Sequence, residues 1–91
     1  MKTSCRIYIS GIVQGVFFRN FVKENADKLD IKGFVRNLED SRVEAFLEGE
    51  KTKVDSLIAI IKKGPKQSKI DNIELKEEKF QDLKGFKILH I

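Results

Sequence analysis

Between Cys5 and Ser10 the chain alternates, with Cys5, Ile7 and Ile9 on one side and Arg6, Tyr8 and Ser10 on the other, the period-two pattern of a half-buried strand. From Phe18 to Leu29 the apolar positions fall at 18, 21, 22, 26 and 29, a stripe with a period of about 3.6 that predicts a helix. After Gly33 the run Phe34-Val35-Arg36-Asn37-Leu38 is strand-like again, Glu39-Asp40-Ser41 is a turn, and Arg42 to Leu47 returns as a strand with Val43 and Ala45 opposite Glu44 and Phe46. Gly49 is expected to end that strand and Thr52 to cap the next helix, where Val54, Leu57, Ile58 and Ile61 share one face. Gly64-Pro65 stops the helix. In the fourth strand, Ile70 to Lys76, the apolar residues Ile70, Ile73 and Leu75 change parity, which predicts a bulge near Asn72. A short fifth strand is expected from Phe86 to Ile91, after Gly85.

The order is β-α-β-β-α-β with a C-terminal extra strand. Two crossovers sharing one sheet predict an α+β, ferredoxin-like sandwich: an antiparallel sheet with both helices on one face and the short extra strand at the end of the chain. With 91 residues, no repeat and no linker, a single domain over 1–91 is expected, burying at most about two-thirds of its unfolded surface.

Hydrophobic residues make up 41% and charged residues 35%, a balance that argues against disorder. The 18 basic residues exceed the 14 acidic ones by four without forming a block, a mild preference for anionic ligands and no footprint of nucleic-acid binding. Cys5, the single cysteine, reads as a small buried strand residue and ties the chain to no oxidising compartment. Arg6, Ser10 and Gln14 interrupt the first apolar run, so no leader is expected there. No run reaches the roughly 20 apolar residues of a membrane helix. The expectation is a soluble, cytoplasmic protein that is a monomer and engages no membrane.

Little in the sequence offers conventional catalytic chemistry. With one histidine and one cysteine there is no metal cluster and no nucleophile–base pair, and His90 reads as a strand residue. Glu24, Asp27, Glu48, Glu50, Glu74, Glu77 and Glu78 read as solvated faces. What stands out is Gly11-Ile12-Val13-Gln14-Gly15-Val16-Phe17-Phe18-Arg19, which leaves a strand through two glycines and enters a helix beside an arginine. Glycines permit tight turns and close ligand approach, a helix N-terminus presents unpaired N–H groups, and Arg19 adds a charged fork, a combination suited to a phosphate. Gly15 is expected to serve geometry, and Phe17 and Phe18 to pack under the loop and at the helix start.

That string resembles the signature of the acylphosphatase family, G-x-V-Q-G-V-x-F-R, at every specified position. The family's second signature, G-[aromatic]-V-x-N followed by a turn and V-E, is matched by Gly33-Phe34-Val35-Arg36-Asn37 and then Val43-Glu44. Gly64-Pro65 and Gly85-Phe86-Lys87-Ile88 extend the likeness over nearly the whole chain. The resemblance implies hydrolysis of acyl phosphates to a carboxylate and inorganic phosphate, which would also act as inhibitor, with no metal or cofactor. It implies that Arg19 and the backbone N–H groups of Gln14, Gly15, Val16, Phe17 and Phe18 hold the phosphoryl group, and that Asn37 orients the attacking water. A carboxylate whose parent acid has a pKa of about 4 leaves without a general acid, and a phosphoryl oxygen is the expected proton acceptor. One position departs from the family, which usually has glycine in the turn after the asparagine where this chain has Asp40-Ser41-Arg42. Either Ser41 takes a positive φ and is strained, or Asp40 is the left-handed residue of a different turn.

Two other readings share the element order. RNA-recognition domains read bases on exposed sheet aromatics, and Ile7-Tyr8-Ile9-Ser10-Gly11 loosely resembles their first motif. Lys32-Gly33-Phe34-Val35, however, lies on the second strand where their second motif belongs on the third. A silent anion-binding domain of the same fold is opposed by the intact Arg19 and Asn37.

Overall fold

The computed structural model describes residues 1–90. The alternating run at Cys5 is the middle of a longer strand, β1 (Lys2–Ile12), followed by helix α1 (Val16–Lys28), the hairpin β2 (Lys32–Asn37) and β3 (Val43–Glu50), helix α2 (Lys51–Lys63), β4 (Lys69–Glu77) and β5 (Phe86–Leu89). The strands form one sheet in the order β4-β1-β3-β2-β5. Cys5, Ile7 and Ile9 of β1, Val35 of β2, and Val43, Ala45 and Leu47 of β3 join Phe18, Val22 and Ala26 of α1 and Val54, Leu57 and Ile61 of α2 in one buried cluster, so both helices cover the same face. Each buried Leu, Ile, Val or Phe contributes about 1.5–3 kcal/mol of transfer free energy, and this layer is the main source of stability.

The expected ferredoxin-like fold is present, with a correction to its sheet. β2 and β5 pair in parallel, Gly33 beside Phe86 through Arg36 beside Leu89, so the sheet is mixed. The direction follows from the pairing of the other strands. β1 and β2 both run antiparallel to β3, and β4 runs antiparallel to β1, so β4 ends where β2 begins. A chain that leaves β4 there and crosses to the far edge enters β5 heading the same way as β2.

The crossing segment, residues 78–85, is a strap over the face opposite the helices. Its Glu78 N–H donates to the Ser4 carbonyl at 3.1 Å, and the Gly85 carbonyl accepts from the Gly33 N–H at 3.0 Å. Between these ends the Glu48 carboxylate accepts from the backbone N–H groups of Gln81 and Leu83, the latter at 2.7 Å, and from the Ser4 hydroxyl at 2.8 Å. Glu48 is therefore not on a solvated face as expected; it is 1% exposed. Alternation places Glu44, Phe46 and Glu48 on the strap side, and the strap buries what the pattern alone leaves open.

Other boundaries also differ from expectation: β5 ends at Leu89, so His90 is not a strand residue, and Ile91, the expected end of that strand, lies outside the described residues. β3 continues through Gly49 to Glu50 because β1 starts early enough to pair with it, Thr3 opposite Gly49 and Lys2 opposite Glu50. α2 then begins at Lys51 directly from the strand, and Thr52 lies inside the helix instead of capping it. The expected bulge is present: Ser10 pairs with Asn72 but Gly11 with Ile70, leaving Asp71 as the extra residue of β4.

Glu44 and Glu48 tie the strap face to acid stability. Burial opposes ionisation of Glu48, but the N–H groups of Gln81 and Leu83 and the Ser4 hydroxyl outweigh it and hold its carboxyl below the usual range. Burial likewise opposes Glu44, outweighed by its hydrogen bonds and charge contacts with Arg36 and Arg6. Depressed folded-state pKa values contribute stability that is fully present above the unfolded value of about 4.3 and is lost as pH falls through the folded values. Urea midpoints should hold between pH 7 and pH 5 and fall steeply below pH 4. Glu48→Gln should lower stability at pH 7 by about 1–3 kcal/mol, since one strap N–H loses its acceptor, and should flatten the acid limb; an unchanged acid limb would remove Glu48 from this role.

Candidate active site

β1 and β2 run in the same direction and finish at the same end of the sheet, and α1 starts at that end immediately after β1. The loop between them begins at Gly11, whose φ is 135° and where a Cβ would lie 2.0 Å from the Lys69 carbonyl oxygen, so only glycine fits against the start of β4. Val13 is buried and anchors the loop in the core. Gly15 takes the position before α1 with φ 98° and ψ −176°, and open space surrounds the place a Cβ would occupy. It turns the chain from the loop into α1, whose first N–H groups lie at the loop end. No side chain caps them and no acidic residue lies in the first turn, which leaves the positive end of the helix without a counter-charge from the first turn.

Arg19 lies one turn into this helix and is 9% exposed. Its Nε donates to the Gly15 carbonyl at 3.2 Å, and its Nη1 lies 3.3 Å from Nδ1 of His90. Among the described residues no carboxylate forms an ion pair with it, whereas Arg6 pairs with two and Arg36 and Arg42 with one each. A buried guanidinium beside a helix N-terminus is unfavourable unless an anion joins it.

Asn37 ends β2. Val35, two residues earlier, is buried in the helix-side core, so the strand period directs Asn37 to the side from which α1 rises. Its Oδ1 is buried and has no hydrogen-bond donor among the described residues. Gln14 links the loop to this region: its Nε2 donates to the carbonyls of Arg42 at 3.0 Å and Leu38 at 3.5 Å, on either side of the turn after Asn37. The side chain of Gln14 thus braces the loop against the β2–β3 turn.

The sequence-derived site residues therefore meet at one end of the sheet, with one correction. Phe18 is buried at the helix start, 6.2 Å from Phe21 between ring centroids, but Phe17 does not pack under the loop and is 72% exposed. His90 was not foreseen beside Arg19. It follows β5, and no spacing in the sequence signals a contact across 71 positions; the parallel pairing of β5 with β2 creates it. Cys5 is a buried thiol raised to about 11, chiefly by burial and further by the charge of Asp55, so it is not a nucleophile at neutral pH. On the strap face Phe46 is fully buried, stacked on Phe34 with the Arg6 guanidinium 5.3 Å from its ring centroid. That ring is not available to stack on a base.

The architecture and this end of the sheet define a ferredoxin-like α+β domain that carries a glycine loop and a buried arginine after its first strand. The sequence model of the acylphosphatase family matches residues 5–88. An acylphosphatase of Rubrobacter xylanophilus is 48% identical over 80% of this chain and 66% of its own length. One of Acaryochloris marina is 44% identical over 89% of this chain and 87% of its own. The crystal structure of acylphosphatase from Bacillus subtilis superposes with a TM-score of 0.92 at 36% identity, covering 99% of this chain and all of that one. The chain belongs to the acylphosphatase family.

The β2–β3 turn resolves the question left by its missing glycine. Ser41 has φ 76°, and Asp40 is not among the residues with positive φ. The turn is closed by Leu38 N–H to the Arg42 carbonyl at 2.8 Å and Ser41 N–H to the Leu38 carbonyl at 3.2 Å, and Asp40 accepts from the Arg42 N–H at 3.1 Å. A serine in the left-handed region is strained relative to glycine, so Ser41→Gly should raise stability by about 1 kcal/mol in urea melts. An equal or lower midpoint would show that the turn holds serine without strain.

Proposed function

We propose that this chain hydrolyses the carboxyl–phosphate anhydride of acyl phosphates, with Arg19 and the loop amides holding the phosphoryl group and Asn37 orienting the attacking water. One observation carries the reading: uncapped helix amides, a buried guanidinium without a carboxylate and a buried Asn37 Oδ1 without a donor, each among the described residues, meet at one end of the sheet. The first two suit an anion and the third suits a water proton.

Arg19 donates through its fork to phosphoryl oxygens while the N–H groups from Gln14 to Phe18 converge on the same anion. Together they neutralise charge on the equatorial oxygens as the transition state loosens, the task that metal ions perform in many phosphoryl-transfer enzymes. The Asn37 carboxamide accepts one water proton and so aims the oxygen lone pair at phosphorus. The water oxygen bonds to phosphorus as the bond to the acyl oxygen breaks. The carboxylate departs with the bonding pair, and the water's proton passes to a phosphoryl oxygen, leaving inorganic phosphate.

Every group in this scheme comes from one chain, which supports a monomer formed by a single domain over 1–91. A lone buried thiol fits the cytoplasm. The burial of Phe46 disfavours RNA recognition on the strap face.

The test is phosphate release from acetyl phosphate with a chelator present. Turnover should survive chelation, and inorganic phosphate should inhibit competitively. Arg19→Gln and Asn37→Ala should each lower kcat by at least about 100-fold. Full activity in either variant would mean that the reacting groups lie elsewhere.

A further inference from the structure

Resting on that reading, we propose that the acyl group of the preferred substrate is bulky and apolar, and that it lies in the groove between the loop and the α2–β4 turn. Six large hydrophobic side chains are strongly exposed among the described residues, and three of them, Ile12 at 67%, Val16 at 54% and Phe17 at 72%, border this one loop. Exposed apolar side chains gathered beside a polar site mark a binding surface. Ile12 and Phe17 form one wall of a groove whose other wall is Pro65, Gln67 and Ser68, and no charged residue is among those that line it.

The in-line geometry of phosphoryl transfer selects this groove for the acyl group. The attacking water and the leaving oxygen lie on opposite sides of phosphorus. Asn37 stands at the end of β2, separated from β1 by β3, whereas Pro65, Gln67 and Ser68 lead into β4, which flanks β1 on its other side. With the phosphoryl group over the loop and the water on the β2 side, the leaving carboxylate points toward β4. Its substituent then meets Ile12 and Phe17. The loop wall is held in place: Val13, which also lines the groove, is buried, and Gln14 ties the loop to the β2–β3 turn. An acetyl group is too short to fill the groove, whereas an aromatic ring buries apolar area against a lining that holds no charged residue.

The test compares acetyl phosphate with benzoyl phosphate in the wild-type chain and two variants that leave the phosphate loop intact. KM for benzoyl phosphate should be several-fold lower than for acetyl phosphate. Ile12→Ser should reduce kcat/KM for benzoyl phosphate by about fivefold or more and leave acetyl phosphate within about twofold. Gln67→Leu should enlarge the apolar wall and raise kcat/KM for benzoyl phosphate selectively, a gain that misfolding does not produce. Equal effects on both substrates in Ile12→Ser, or no selective gain in Gln67→Leu, would overturn the acyl groove while the phosphohydrolase reading stands. Failure to hydrolyse either substrate would overturn both.

Discussion

The constraint on which the site depends is that β1 and β2 each pair antiparallel with β3, and so run parallel to one another and finish at the same end of the sheet. Parallel strands cannot be joined by a tight turn; the chain must travel back the length of the sheet, and α1 makes that return. A helix that returns from the end of β1 necessarily has its N-terminus there. The loop, the uncapped N-terminus of α1, Arg19 in its second turn and Asn37 at the end of β2 therefore belong to one end of the sheet because of strand pairing. Arg19 and Asn37, 18 positions apart in sequence, thus come to the same end of the sheet, where Gln14 braces the loop against the turn after Asn37.

The two ends of the sheet treat their polar groups in opposite ways. Where β1 and β2 begin, Glu48 accepts from Ser4, Gln81 and Leu83, and a buried carboxylate is made tolerable by filling its lone pairs with fixed donors. Where they finish, the uncapped helix, the guanidinium of Arg19 and the Oδ1 of Asn37 have, among the described residues, fewer partners than burial demands. An unsatisfied buried acceptor costs about 1–3 kcal/mol, and a cation near a helix N-terminus adds to that. The hydrophobic layer and the strap stabilise the domain, and that margin allows the loop end to stay poorly satisfied. The same strap, by crossing to the far edge and entering β5 parallel to β2, delivers His90 to Arg19.

Features set by local chemistry were legible in the sequence. The amphipathic stripes gave both helices, the parity change gave the bulge at Asp71, and the glycine string with Asn37 marked the corner that the strands assemble. Features created by tertiary crossing were not. Glu48 reads as solvated because nothing in its neighbourhood announces that residues 78–85 will lie over it. Thr52 is a good capping residue, but β1 begins early enough to hold β3 in the sheet through Glu50, and the ladder overrides the cap. Phe17 reads as core because it is aromatic and adjoins a buried residue. Yet Phe18 alone takes the inward position at the start of α1, and the helical turn directs Phe17 outward.

Arg19 shows how these levels combine. The helix dipole disfavours a cation at this position, and other arginines of the chain are neutralised within the sheet, Arg6 and Arg36 both on Glu44. Arg19 instead spends one donor on the Gly15 carbonyl at the head of its own helix. That bond holds the guanidinium at the head of its helix, and among the described residues no carboxylate pairs with it. Preorganised charge reacts to an anion without reorganising, and in a transition state whose negative charge spreads over three oxygens that is the largest help a protein can give. Because the leaving group is already a stable anion, no proton donor has to be placed opposite the water, and the side of the loop toward β4 is free to be apolar. On the proposed function, the chemistry of the leaving group accounts for an uncharged wall beside the loop.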